Sequence, residues 1–327
     1  MLSNNNFDEK PHLLITGANG FLGRHLSSAL LSTGAKVTQL VHTIAPDHHK
    51  TDIKIALDLT ERNKVIEVFT KLQPDYVIHL ASTKDRMNTG IQFRDSYETN
   101  LSISLNVIEA CLGLRGFKRL IFLGTCDEYG QTTYPFVETQ RELPVNNYGL
   151  SKLAVTKILS GLYQSHRFPS VVLRPSVIYG PNQGNEMFLP ALIQSLLAKK
   201  DFAMTFGGQF RDFVYVDDVV DAIIKTLLAS VQVNGAVINI GAGVSCEVKK
   251  LALRDAEFIH PTAKSHLKLG VVQYRPNEAM DYAINISLAK QSLDWQPLTT
   301  LTQGLQQTIS HFKEKVNDGN KIVDKYA

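Results

Sequence analysis

A hydroxyl, a thiol and two carboxylates follow one another in the segment GTCDEYG, directly after the apolar run LIFL. The apolar run has the character of a buried strand, so these polar side chains leave the protein core together. Burying such groups costs free energy unless they are hydrogen-bonded or do chemistry. We therefore take them as candidates for acid–base catalysis and for substrate contact. They are Thr125, Cys126, Asp127 and Glu128.

A second pair of candidates lies on a predicted helix that begins in NNYGLSK. Tyr148 and Lys152 are four residues apart, which puts them on one face of that helix. Free tyrosine titrates near 10, and a nearby ammonium group lowers the pKa of the phenol, so the phenol can exchange a proton near neutrality. A Tyr-x-x-x-Lys pair alone is common by chance, and an exposed helix pair is then the simpler interpretation.

The segment TGANGFLG follows the first predicted strand and precedes a predicted helix, which is the context of a dinucleotide-binding loop. Gly17 would permit the tight turn, Gly20 would let a pyrophosphate approach, and Gly23 would allow close helix–strand packing. At the start of the helix, Phe21 and Leu22 would offer N–H groups to the phosphates. A purely structural glycine-rich turn is the alternative.

The end of the second predicted strand bears on the choice of cofactor. An NAD site usually has Asp or Glu there, about twenty residues after the glycine loop, to bind the ribose. This chain has Val-His-Thr, and no carboxylate follows before Asp47. His42, with His48, His49 and Lys50 nearby, could accept a 2′-phosphate, so the sequence favours NADP, with NAD as the alternative. Positions after later strands that could line the cofactor are Asp58, Leu59, Leu80, Ala81 and Ser82.

These candidates need a scaffold, and the sequence predicts one. Short apolar runs alternate with longer helical patterns, which indicates βαβ units and a parallel sheet covered on both faces. The predicted fold class is α/β, a doubly wound parallel (Rossmann) sheet with a smaller C-terminal substrate-binding region. We predict a dinucleotide-binding domain over 1–175, with returning segments near 211–240, and a mainly substrate-binding region over 176–327. The polar tail KEKVNDGNKIVDKYA is predicted to be loosely held.

Composition limits the protein class. A chain of 327 residues that is 44% hydrophobic can build a large core. A net charge of +3 without a basic run gives no reason to expect a nucleic-acid partner. Absence of long apolar runs and the polar start MLSNNNFDEK predict a cytoplasmic protein without a membrane span or secretory leader. The cysteines have no metal-ligand spacing and the adjacent histidines lie in a polar loop, so we expect no metal site. The cysteines are Cys111, Cys126 and Cys246.

Taken together, these segments resemble the extended short-chain dehydrogenase/reductases, in particular the nucleotide-sugar epimerase/dehydratase group. The resemblance covers nearly the whole chain through TGANGFLG, HLAS, YETN, GTCDEYG, YGLSK, LRPSVIYGP, RDFVYVDDVVDAI and RPNEAMDYAINISLAKQSLDWQP. It implies that Thr125 hydrogen-bonds the reacting sugar oxygen and that Tyr148 is the acid/base. It also implies that Lys152 activates the tyrosine and binds a ribose.

The resemblance implies further contacts. Asn100, in YETN, falls among the cofactor-binding residues, and Cys126 and Asp127 fall beside the substrate. Arg211 and Arg275 correspond to arginines that clamp the substrate diphosphate, which guanidinium groups can bind in bidentate fashion. Taken singly, each arginine is more typical of a surface ion pair. A homodimer through a four-helix contact of 97–114 and 148–166 is also implied.

The order of residues in GTCDEYG bears on the reaction. In the 4,6-dehydratases of this family, Asp-Glu follows the threonine at once. If Tyr129 fixes the register, Cys126 stands at the position of the acid and Asp127 at that of the base. The segment is more similar to that of 4-keto-6-deoxy-sugar reductases, such as GDP-6-deoxy-mannose reductases. A 4-keto reductase of a nucleotide sugar is therefore the first hypothesis.

Other interpretations of the segment stay open. A C4 epimerase needs only the hydroxyl, tyrosine and lysine, whereas a 4,6-dehydratase is less favoured. A non-catalytic NADP-binding regulator could share the fold. Asp127 and Glu128 could instead belong to a solvated loop that caps the strand end. Near Val177 the family often has an asparagine that points at the substrate, and this chain lacks it.

Overall fold

The computed structural model describes residues 10–44, 53–83, 93–275 and 278–324. The strands of this part of the chain are β1 His12–Thr16, β2 Lys36–Val41, β3 Ile53–Ala56, β4 Tyr76–His79, β5 Arg119–Leu123, β6 Ser170–Pro175, β7 Val177–Tyr179, β8 Phe202–Met204, β9 Phe210–Tyr215, β10 Val237–Ile240, β11 Ser245–Glu247 and β12 Leu267–Leu269. The helices are α1 Phe21–Leu31, α2 Arg62–Leu72, α3 Phe93–Leu112, α4 Asn147–His166, α5 Phe188–Leu197, α6 Val216–Leu228, α7 Val248–Ile259, α8 Ser287–Leu293 and α9 Leu301–Asp324. Short 3₁₀ turns lie at Cys126–Glu128, Val231–Val233 and Ala263–His266.

A parallel sheet forms the centre of the molecule, with the strand order β10-β6-β5-β4-β1-β2-β3. One face is covered by α1 and α6 and the other by α2, α3 and α4. Each residue of β1 is buried, as expected for a strand covered on both sides. The predicted doubly wound α/β fold is confirmed.

The part of the chain after β6 builds smaller sheets beside the central one. Strands β11, β9 and β7 form one of them, and β12 pairs with β8 in another. Between β9 and β11 the chain returns to the central sheet, because α6 packs against α1 and β10 pairs with β6. Asp218 of α6 accepts the backbone N–H groups of Leu298 and Thr299, which holds the segment before α9 against this helix.

The last helix runs into the polar tail. That tail is predicted to be loosely held, and α9 continues through it to Asp324. Leu305, Ile309 and Phe312 are buried along one side of this helix. Their burial anchors the first turns, and the polar residues that follow continue a helix that is already formed.

None of the described helices is both long enough and apolar enough to cross a membrane.

Candidate active site

The carboxyl ends of the parallel strands bring the candidate residues to one edge of the sheet. In doubly wound sheets ligands bind at this edge, where the strand order reverses. The glycine loop follows β1, Leu80 follows β4, and Thr125 follows β5. Here β1 lies between β4 and β2, so the reversal falls beside the glycine loop.

The backbone of the glycine loop leaves no room for a side chain at Gly17 or at Gly23. Gly17 has a φ of +70°, and a Cβ there would lie 2.7 Å from the backbone nitrogen of Ala81. A Cβ on Gly23 would lie 2.7 Å from the Cα of Ala18, within the same loop. Both positions therefore require glycine, one for the turn and its contact with the segment after β4, the other for close packing of α1.

The start of α1 fits a dinucleotide pyrophosphate. Gly20 is the N-cap residue, α1 has no side-chain cap there, and its first turn contains no acidic residue. The first N–H groups of a helix have no partners within the helix and carry the positive end of its dipole. Phe21 and Leu22 belong to this turn. An anion is the natural partner of a helix start that has neither a side-chain cap nor an acidic residue.

The adenosine end of the predicted cofactor site lies beyond β2 and β3. His42 is exposed directly after β2, and Asn19 donates a hydrogen bond of 3.0 Å from Nδ2 to the carbonyl of Thr43, which holds this segment beside the glycine loop. Asp58 accepts hydrogen bonds from the hydroxyl and the N–H of Thr60, and these bonds lower the pKa of its carboxyl; His42 adds a smaller lowering. Asp47, His48, His49 and Lys50 lie outside the described residues.

Asn100 joins the segment after β4 to the helix that carries the tyrosine. Its Oδ1 accepts the N–H of Thr83 at 2.8 Å, and its Nδ2 donates to Ser151 Oγ at 3.0 Å. Ser151 in turn donates to the carbonyl of Tyr148. Leu80, Ala81 and Ser82 are half-buried just before this link. The amide of Asn100 thus fixes α4 relative to the predicted cofactor-lining segment.

Thr125 sits at the end of β5 with a defined hydroxyl orientation. Its Oγ1 accepts the N–H of Asp127 at 3.2 Å, and its own N–H donates to Glu128 Oε1 at 2.9 Å. These reciprocal contacts form a capping box for the short 3₁₀ turn. The turn uses one lone pair of Thr125 Oγ1, and the hydroxyl proton can be donated to a substrate oxygen.

Lys152 is buried close to Tyr148. Its Nζ donates to the carbonyl of Leu123 at 2.9 Å and lies 5.8 Å from the centroid of the Tyr148 ring. Burial lowers the pKa of Lys152 to about 8, while the nearby charge of Glu128 opposes that change. Tyr148 itself is half-buried. Leu123 is the last residue of β5, and Thr125 follows it by two residues. The predicted tyrosine–lysine pair therefore lies at the same strand end as Thr125.

The interpretation of Glu128 as part of a solvated loop is wrong. The residue is fully buried, and its carboxylate pairs with Arg174 of β6 at 2.7 Å. Arg174 is also fully buried and pairs with the half-buried Glu142. The missed signal is Arg174 in LRPSVIYGP: an arginine in an otherwise buried strand requires an acidic partner.

Asp127 and Arg211 are brought together by Tyr282, which sequence reasoning did not single out. The Tyr282 hydroxyl donates to the carboxylate of Asp127, and the guanidinium of Arg211 lies 5.2 Å from the Tyr282 ring centroid. Arg211 also pairs with Glu278. The N–H of Glu278 donates to the carbonyl of the exposed Arg275, so Glu278 contacts both predicted arginines.

Cys126 is buried with the core on the side of α1 and α6. No cluster of His, Cys, Asp and Glu that could hold a metal ion occurs among the described residues.

Comparison with known proteins gives consistent results. The family model described as "NAD dependent epimerase/dehydratase family" matches residues 13–241. The chain is 30% identical to UDP-N-acetyl-alpha-D-glucosaminuronate decarboxylase of Bacillus cytotoxicus, covering 94% of this chain and 100% of that protein. It is 27% identical to dTDP-6-deoxy-L-talose 4-dehydrogenase (NAD(P)(+)) of Kitasatospora kifunensis, covering 90% and 93%.

Among solved structures, the UDP-glucuronic acid 4-epimerase of Bacillus cereus, in complex with UDP-glucuronic acid and NAD, superposes with a TM-score of 0.83. The two chains are 25% identical, and the match covers 93% of this chain and 99% of that one. The similarity therefore extends over both the central sheet and the smaller C-terminal sheets.

Proposed function

Because this chain belongs to the NAD-dependent epimerase/dehydratase family, we propose that it is an oxidoreductase that reduces the 4-keto group of a 4-keto-6-deoxy nucleotide sugar. One observation carries the choice of reaction. Cys126, which follows Thr125, is buried, and the next residue, Asp127, accepts a hydrogen bond from Tyr282. Glu128 is buried in an ion pair with Arg174. Elimination of water needs a mobile acid and base at this place, whereas ketone reduction needs only the hydroxyl, tyrosine and lysine.

The proposed division of labour follows from the contacts of the three residues. Nicotinamide, when bound, supplies the hydride. The Thr125 hydroxyl donates its proton in a hydrogen bond to the carbonyl oxygen of the sugar, while its oxygen accepts the N–H of Asp127. Tyr148 donates the proton that this oxygen gains. The buried ammonium of Lys152 stabilises the tyrosinate left behind, because a positive charge favours the ionised phenol.

The substrate is proposed to bind through its diphosphate as well as its sugar. Arg211 and Arg275 would contact the phosphate oxygens, and Glu278 contacts both arginines. The smaller sheets carry Arg211 on β9, opposite Cys246 of β11. This supports a division in which 1–175 bind the cofactor and 176–327 mainly bind the substrate. Within the predicted returning segments near 211–240, α6 and β10 rejoin the central sheet, whereas β9 lies in a smaller sheet.

A C4 epimerase is the second candidate. It uses the same hydroxyl, tyrosine and lysine, and the similar Bacillus cereus protein is a UDP-glucuronic acid 4-epimerase. The two functions differ in their use of cofactor: a reductase consumes NAD(P)H, whereas an epimerase returns it at each turnover.

The test is a panel of substrates with the purified protein. We expect 4-keto-6-deoxy sugars linked to dTDP or GDP to oxidise NADPH and to give a product that is heavier by one H₂. The same keto sugar without its nucleotide should not react, because the diphosphate contacts are lost. Tyr148→Phe should lower the rate by about 10²–10⁴-fold.

Three other outcomes would contradict the proposal, and each identifies an alternative. Interconversion of UDP-hexoses without net oxidation of the cofactor would show an epimerase. A product lighter by one water would show a dehydratase and return Asp127 to the catalytic role. Cofactor binding without turnover of any sugar would indicate a regulator.

A further inference from the structure

Glu128 connects three elements at the centre of the site. Its Oε1 accepts the N–H of Thr125 at the end of β5, and its Oε2 accepts the hydroxyl of Thr156 on α4 at 2.9 Å. Arg174 of β6 donates from Nε to Oε2 at 2.8 Å. At Gly124, a Cβ would collide with this carboxylate, so it lies directly against the strand backbone. Both oxygens of the carboxylate therefore accept hydrogen bonds.

We propose that Glu128 is a positioning residue for the Thr125–Tyr148–Lys152 set: its carboxylate fixes Thr125 against α4 and supplies a negative charge that acts on the buried ammonium of Lys152. The inference rests on the proposed function of these three residues. Thr156 is one helical turn after Lys152, so the same carboxylate sets the position of α4 relative to the strand end.

The charges around Lys152 decide what Glu128 contributes. Burial raises the pKa of the Glu128 carboxyl and the guanidinium of Arg174 opposes that shift; we assign a carboxylate at neutral pH, because Arg174 and the Thr125 N–H both donate to it. His79 of β4 also faces Lys152, but burial and the lysine hold the pKa of its imidazole at about 3, so it is neutral. Glu128 is therefore the charge that keeps the pKa of Lys152 from falling further.

The test compares Glu128→Gln with Glu142→Gln. Both variants remove one carboxylate from Arg174, but Glu142 has no contact with Thr125. For Glu128→Gln we expect kcat to fall about tenfold or more with KM changed less than about threefold. The loss of charge should also move the alkaline limb of the pH–rate profile down by about half a pH unit or more, because Lys152 then deprotonates earlier. For Glu142→Gln we expect wild-type kcat and an unmoved limb.

Thr156→Val is a second variant that tests the role of Glu128 if Glu128→Gln does not fold. It removes one donor to the carboxylate and keeps the charge, so kcat should fall while the alkaline limb stays in place. The proposal would be overturned if the alkaline limb of the pH–rate profile lay at the same pH in wild type and Glu128→Gln. It would also be overturned if Glu142→Gln shifted this limb as much as Glu128→Gln does.

A second readout does not depend on turnover. Lys152 is also the predicted ribose ligand, so NADPH binding, followed by the fluorescence of the cofactor, should weaken as Lys152 loses its proton. The pH of this weakening should be lower in Glu128→Gln than in wild type. If no sugar reacts but this shift is found, the proposed reaction is wrong and the role of Glu128 stands. If sugars react but neither pH limb moves, the role of Glu128 is wrong.

Discussion

Asp255 of α7 is fully buried, and neither of its carboxyl oxygens has a hydrogen-bond partner within the described part of the chain. Burial raises the pKa of this carboxyl to about 8. Asp212 is buried too, but it accepts hydrogen bonds from Ser176, Ala242 and Gly243, and burial raises its pKa only to about 6. The two aspartates differ in whether the fold stabilises their charge.

The sign of the effect on stability follows from the shift at Asp255. Its folded pKa of about 8 exceeds the ordinary value of 3.8, so the folded state binds a proton more tightly than the unfolded state. Its contribution to the free energy of unfolding is fully present below about pH 4 and is lost as pH rises toward 8, by at most ~1.4 kcal/mol per pH unit.

We predict that Asp255→Asn raises the free energy of unfolding relative to wild type at pH 8, because the amide needs no proton to stay neutral. The difference should shrink as pH falls toward 5. Denaturant unfolding at several pH values measures it. Asp212→Asn is the contrast, and it should destabilise the protein at pH 8 because it disturbs three hydrogen bonds. A pH-independent effect of Asp255→Asn would contradict the assigned protonation.

The sequence singled out Thr125, Tyr148 and Lys152 but did not reveal the residues that contact the segment GTCDEYG. Thr125, Tyr148 and Lys152 were found because their types and spacing are local signals. The partners of the segment GTCDEYG were not, since Arg174 is 46 residues from Glu128 and Tyr282 is 155 residues from Asp127. Contacts over such separations depend on strand order, which spacing along the chain does not contain.

At the scale of elements, the alternation of short apolar runs with longer helical patterns predicted the central sheet and its covering helices, because amphipathic helices and apolar strands leave a signal along the chain. Strands β7, β8, β11 and β12 were not predicted. Each has three residues, too few to show alternation, and their pairing is set by the tertiary structure. The family resemblance was confirmed by the match over 13–241.

The segment after β2 leads to a prediction about the cofactor. His42 is exposed there and is tied to the glycine loop through Asn19 and Thr43. We propose that the protein prefers NADP(H), because the imidazole can meet a 2′-phosphate where NAD sites place a carboxylate. His42→Asp should reverse the preference, with a change of about tenfold or more in the ratio of dissociation constants, equal to about 1.4 kcal/mol.

Fluorescence titration with NADPH and NADH measures both constants. The exposed His260, at the end of α7, offers a control, since His260→Asp makes the same charge change away from the glycine loop. Tenfold tighter binding of NADH by the wild type would show that the preference is wrong.

At the scale of the whole molecule, α3 and α4 pack against each other on one face of the sheet. They leave leucines exposed on the outside: Leu105 and Leu112 of α3 are 40% and 51% exposed, and Leu150 of α4 is 37% exposed. Exposed large apolar side chains on neighbouring helices are typical of a contact with another protein surface. A two-fold axis would place the same pair of helices of a second copy against them.

We therefore predict a homodimer through α3 and α4, present in solution at micromolar concentration. Leu105→Glu should weaken it by about a hundredfold or more, equal to about 2.7 kcal/mol, because the two-fold axis buries two new charges in one interface. Light scattering over a dilution series measures the mass, and circular dichroism checks that the fold is kept. Val231→Glu, at a side chain 76% exposed after α6, is the matched control and should stay dimeric. A wild-type monomer, or a dimer that Leu105→Glu and Leu150→Glu both leave intact, would rule out this interface.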